Sequence, residues 1–290
     1  MRTLCFVTAG LVFFTSSVAC VAQTSVNAAD VSFVATFVTR TQSSSPVVPA
    51  RELTMTVRVR GSRARVDYAE PGGVSLVYYA LYDAASDRAA FVLPSERKYV
   101  PFDSGTMGKT FRDVPMHFSD VTAFRDSLGT GETLLDFPTR RFRIGMAYAV
   151  SMGSDSSLSL VGGALSVKTE MENVLQVSDV VLALAPGFRV LGGVLSAPYA
   201  SAMFSADSAM IRASSLTRPP RGVPLDTRSV MRTIHDGDTT TVATTTRLTS
   251  LVRGGVRAED LLLPVSYSVA GFLELGRAQL EADQRQKKPE

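Results

Sequence analysis

Between residues 31 and 102 the chain alternates apolar and polar residues in short runs separated by turn residues, with no helical period between them. This pattern constrains the fold most tightly. A period of two puts successive side chains on opposite faces of a strand, and strands joined by short turns must run antiparallel. Residues 31–40 alternate, with Phe33 and Phe37 on one face and Ser32 and Thr36 on the other, and a Ser/Pro loop follows at 43–49. Leu53, Met55, Val57 and Val59 then alternate with Thr54, Thr56, Arg58 and Arg60; past Gly61-Ser62, Ala64, Val66 and Tyr68 alternate with Arg63, Arg65 and Asp67. That is a hairpin with one buried and one charged face. Runs at 75–82, 88–93 and 98–102 extend it into an antiparallel meander.

The pattern resumes in the second half. Strands are expected at 121–128, 132–135, 140–152, 159–174, 229–234 and 239–251, the last two flanking the connection His235-Asp236-Gly237-Asp238. The apolar runs 160–167 and 177–184 fit buried strands or a core segment. Residues 198–214 break the rule: they are rich in Ala, Met and Ser and begin at Pro198, which suits the first turn of a helix. A second helix is expected from Phe272 to about Gln284, ahead of a charged tail.

The N-terminus reads as an export signal. Arg2 supplies one positive charge, an apolar run follows from Leu4 to Phe14, and small residues lead to Gln23. The run is shorter than the roughly 20 residues that a bilayer crossing needs. Two processing routes fit. Cleavage after Ala22 releases the chain; cleavage before Cys20 attaches lipid to its sulfur, although Ser17 stands where a lipobox usually has Leu. The expected division is a signal peptide at 1–22, a single β domain at 23–275 with a helical insert near 198–214, and a helix end and flexible tail at 276–290.

Composition removes several classes of function. The only cysteines are Cys5 and Cys20, and both fall in the signal region, so the mature chain offers no disulfide and no cysteine-ligated metal. Without Arg2 there are 29 basic residues against 27 acidic ones, dispersed along the chain. A nucleic-acid-binding surface needs a clustered excess. Past the signal no apolar stretch reaches membrane-spanning length.

Five short segments resemble bacterial envelope proteins of the LolA/LolB-like superfamily, closest to an uncharacterised exported family. They are Arg60-Gly61-Ser62-Arg63, the turn Leu93-Pro94-Ser95-Glu96-Arg97-Lys98-Tyr99, the strand entry Phe137-Pro138-Thr139-Arg140-Arg141-Phe142-Arg143, Gly222-Val223-Pro224-Leu225, and the closing Leu261-Leu262-Leu263-Pro264-Val265-Ser266-Tyr267. The helical insert is longer than in that family, and the Trp that relatives often carry near 173–179 is missing. The resemblance implies a mainly β fold: a curved antiparallel half-barrel with one or two helices packed on its concave side. It also implies a concave apolar surface able to hold an acyl chain, without implying lipoprotein transport.

Candidate chemistry is sparse. His117 has Asp120 nearby, but no Gly-x-Ser-x-Gly nucleophile accompanies it. His235-Asp236-Gly237-Asp238 could gather metal ligands, yet Asp-Gly at a hairpin tip is the usual source of positive φ. Gly129-Thr130-Gly131 precedes a strand instead of a helix and cannot cradle a dinucleotide phosphate. The residues singled out as possible groove lining are Met203, Phe204, Met210 and Ile211, since methionine adapts to varied apolar partners. The expectation is a non-enzymatic, cofactor-free protein of the periplasm or envelope that binds a lipid or other apolar molecule. The alternative is an envelope protein–protein interaction or sensor module.

Overall fold

The computed structural model describes residues 31–46, 50–70, 78–103, 116–152, 165–192, 207–218, 220–272, 274–275, 277–278 and 281. They form one curved, open sheet of twelve strands. In chain order these are β1 (Ser32–Ser43), β2 (Arg51–Arg60), β3 (Arg63–Ala69), β4 (Tyr79–Asp83), β5 (Arg88–Leu93), β6 (Lys98–Phe102), β7 (Met116–Thr130), β8 (Arg140–Met152), β9 (Leu165–Ser178), β10 (Val223–His235), β11 (Asp238–Arg253) and β12 (Ser268–Val269). The helices are α1 (Asp179–Leu184), α2 (Ser208–Leu216) and α3, the helical residues between 272 and 281.

The spatial order is β12-β6-β5-β4-β3-β2-β1-β11-β10-β9-β8-β7. Two meanders therefore leave a shared centre in opposite directions, and the long antiparallel pairing of β1 with β11 joins them. All pairings are antiparallel except the two-residue pairing of β12 with β6. The expected mainly β, antiparallel architecture is what the chain adopts.

The hydrophobic pattern specifies the register. Ala35, Val57, Val66, Ala80, Phe91 and Val100 stand side by side across β1 to β6, and all but the half-buried Phe91 are buried. A slip of one residue would turn every one of them to the other face. That other face carries the charges, with Arg58 and Arg65 both paired to Asp67 and Arg40 paired to Glu52.

The plug on the core-bearing face comes from α1 and the 3-10 turn Pro186–Leu191 that follows it. Val181, Ala185, Phe188 and Val190 are buried in one cluster with Phe33, Phe37, Val57, Val59, Tyr82, Leu225 and Leu248. The rings of Phe188 and Phe33 lie 5.8 Å apart. The amide of Gly187 donates to the carbonyl of Gly61 at 2.9 Å. The last six residues of the run 177–184 are thus helix where a strand also fitted, and the first two end β9. Its Val/Leu content suits either state, and docking on the sheet decides.

Two further differences are local. Residues 132–135 form no strand: Leu134 and Phe137 make one bridge around Leu135 and Asp136, both with positive φ. Of the helix expected at 198–214, residues 208–214 are helical within α2, which starts after Asp207 and runs on to Leu216; 198–206 lie outside the described residues. Asp207 caps α2, accepting hydrogen bonds from the amides of Ala209 (2.8 Å) and Met210 (2.9 Å). The expected C-terminal helix is present as α3. It packs Leu275 and Ala278 on Leu93 and Val100, while β12 pairs with β6, so the C-terminal segment grips this edge of the sheet.

Candidate functional site

The core-bearing face has a second apolar area beyond the plug, on β7 to β10. The pairing registers place Ala123, Met146, Met171, Met231 and Val242 in one lateral row over β7, β8, β9, β10 and β11. Its cover is graded. Met146 is buried beneath α2, in a cluster with Phe118, Met210 and Ala213. Met171 is half-buried, and Met231 is 38% exposed. Three unbranched thioether side chains thus run from under a helix onto open sheet. Methionine suits an adaptable contact surface because it has three rotatable bonds and a polarizable sulfur.

The flanking rows are polar and, from β9 to β1, uncharged; the first continues through Ile144 on β8 to Arg125 on the edge strand β7. On one side, Asn173, Ser229, Thr244 and Thr41 stand opposite one another on β9, β10, β11 and β1. Thr227, Thr246 and Thr39 continue the same face toward the plug. Two cross-strand hydroxyl bonds form there, Thr39 to Thr246 at 3.0 Å and Thr41 to Thr244 at 3.3 Å. On the other side, Tyr148, Thr169, Thr233 and Thr240 make the matching row.

Charge is kept to the opposite face and the borders. Lys168 pairs with Glu170 at 2.8 Å and Arg143 with Asp126 at 3.4 Å, both on the far side of the sheet. The hydrogen-bonded Lys168 holds the Glu170 carboxyl below its usual range. Arg51 borders the hydroxyl rows opposite Thr41 and is ion-paired to Glu70. Asp226, at the plug end of β10, is nearly buried; burial raises its pKa, and Arg247 at 3.6 Å opposes that rise.

Of the four groove-lining candidates, Met210 is fully buried against the β7–β8 surface, whereas Ile211 is 49% exposed and turned away. Met203 and Phe204 lie outside the described residues, as do Ala22 and Cys20. The sequence reading missed Met146, Met171 and Met231. Each sits at the inward position of its own alternation, but only the strand registers reveal that they are neighbours.

The histidines are dispersed. His117 is exposed on β7, and Asp120 occupies a bulge with φ of 53°. His235 is exposed at the β10–β11 hairpin, where Asp236 (φ 50°) and Gly237 (φ 85°) make the two-residue turn. Among the described residues no cluster of three or more His, Cys, Asp or Glu side chains could hold a metal ion. Among them, too, no helix is long and apolar enough to cross a membrane.

No protein-family model and no curated protein matches this sequence. Among solved structures, the chain is similar to the LolA superfamily protein NE2245 from Nitrosomonas europaea. The two are 9% identical, the match covers 81% of this chain and 90% of that one, and the TM-score is 0.31.

Proposed function

We propose that this chain is an exported, non-enzymatic protein of the cell envelope that holds a flexible apolar molecule along the methionine row. The observation that carries the reading is the gradient of cover from Met146 to Met231. A bound acyl chain would extend the apolar contact of α2 across β9 and β10, and burying each further methylene contributes about 0.8 kcal/mol. The export assignment rests on residues 2–22 of the sequence. Release after Ala22 suits a diffusing carrier, and lipid at Cys20 suits a membrane-tethered acceptor.

Native mass spectrometry of the protein purified from its own envelope tests this, together with titration of a fluorescent alkyl probe. A co-purifying apolar mass is expected, along with probe binding that Met231→Asp weakens at least tenfold. Recovery of an empty protein that takes up no probe would sink the reading.

A second reading, a protein–protein interaction module, is favoured by one observation. Leu262 and Leu263 line a groove of about 660 Å³ together with Leu81, Ala90, Tyr99 and Pro101, and the fully exposed Val265 follows them in the chain. Exposed apolar surface of this kind marks contact sites. One stoichiometric partner lost on Val265→Asp, with the methionine row empty, would favour it.

A further inference from the structure

We infer that the molecule held on the methionine row has an uncharged, hydroxyl-bearing polar end, such as a glycerol or sugar ester. This rests on the reading proposed above. The rows flanking the methionines offer hydrogen bonds without charge, and their donor–acceptor balance is lopsided. In each threonine pair, Thr39–Thr246 and Thr41–Thr244, two hydroxyls bring two donors and four acceptor lone pairs. One hydrogen bond between them leaves one donor and three acceptors.

A carboxylate or phosphate presents only acceptors, so it cannot use that surplus. It would also surrender its hydration to threonine hydroxyls that carry no compensating charge. Among the described residues, Arg51 at one end of the row is ion-paired to Glu70, and Arg125 at the far end, on the edge strand β7, is two strands away from Asn173 and turned to the carbonyl of Arg218 at 3.5 Å. A ligand hydroxyl donates into the surplus and accepts the remaining donor. Ser229 and Asn173, opposite each other and next to Thr244, extend the field toward the methionines. A chain lying on Met171 and Met231 thus brings its polar end onto these side chains without leaving the face.

The test holds the chain constant and varies the head. 1-Oleoylglycerol, oleate and 1-oleoyl-lysophosphatidate displace a fluorescent alkyl probe from the mature protein. The glycerol ester is expected to bind at least tenfold more tightly than either anion. The double variant Thr41→Val/Thr244→Val keeps the β-branched shape and should bring the three within about twofold. Thr39→Val/Thr246→Val serves if that variant does not fold, as read by its unfolding temperature. If no oleoyl compound binds, the apolar-ligand reading itself fails. If all three bind alike, or an anion binds more tightly, that reading stands and the inference falls. An unchanged preference in the folded valine variants also overturns it.

Discussion

Gly187→Ala tests the seating of the plug, and competing effects of known size decide its sign. The backbone at Gly187 lies outside the left-handed region, so alanine can adopt it. Freezing the unfolded chain would then gain about 0.4–1 kcal/mol. Against this, an added Cβ would lie 2.6 Å from the carbonyl oxygen of Arg63 and 2.8 Å from Cγ1 of Val59. Neither can move cheaply. Arg63 opens β3 at a hairpin turn, and Val59 is a fully buried β-branched residue in a paired strand.

Overpacking of this kind costs about 1–3 kcal/mol. Shifting the turn outward would also stretch the Gly187–Gly61 hydrogen bond, worth about 1 kcal/mol. The net expectation is destabilisation of about 1–3 kcal/mol, lowering the unfolding temperature by about 2–4 °C per kcal/mol. Equilibrium urea unfolding with an unchanged denaturant slope measures it. The losses of Gly187→Ala and Val59→Ala measured singly should sum to more than the double variant loses, because Val59→Ala removes one of the two clashes while leaving the carbonyl. An equally or more stable Gly187→Ala protein would refute the proposed docking of the 3-10 turn on β2 and β3.

Other outcomes follow from the same contacts. Asp207→Ala removes the acceptor of two amides at the start of α2 and should cost about 1 kcal/mol; faster hydrogen exchange confined to α2 and the Met146 surface would show it. The raised pKa of Asp226 means that its charged form is disfavoured in the folded state, a cost present at neutral pH and relieved as pH falls through the folded value toward the ordinary 3.8. Asp226→Asn should therefore be at least as stable as the parent at pH 7, with any advantage gone near pH 3 in paired urea titrations. Burial pushes the phenols of Tyr68 and Tyr82 up to about 12 from 10.0, and Tyr82 also donates to Asp87. Stability held below pH 10 should thus be lost as pH rises toward 12. Tyr82→Phe should flatten that decline when unfolding is followed against pH.

Much of the fold was legible in the sequence because strand period and turn chemistry are local. The Arg60–Arg63 and His235–Asp238 hairpins lie where Gly61 and Asp236-Gly237 supply positive φ. The strands expected at 88–93, 98–102 and 140–152 match β5, β6 and β8. Residues 132–135 misled because Leu134 and Leu135 are apolar, yet only Leu134 is buried, at a turn and not in a ladder. The run 177–184 was ambiguous for a different reason: valine and leucine suit buried strand and buried helix alike, and propensity yields to packing.

By itself the sequence determined the alternation that makes antiparallel hairpins, the side of each strand that faces inward, and the candidate export segment. Tertiary structure alone decided how the two meanders meet, at β1 and β11, because that pairing joins residues about two hundred positions apart with no local signal. It also decided that Asp179–Leu191 is the plug. And it set Met146, Met171 and Met231 side by side, since neighbours across a sheet are fixed by register and not by spacing along the chain.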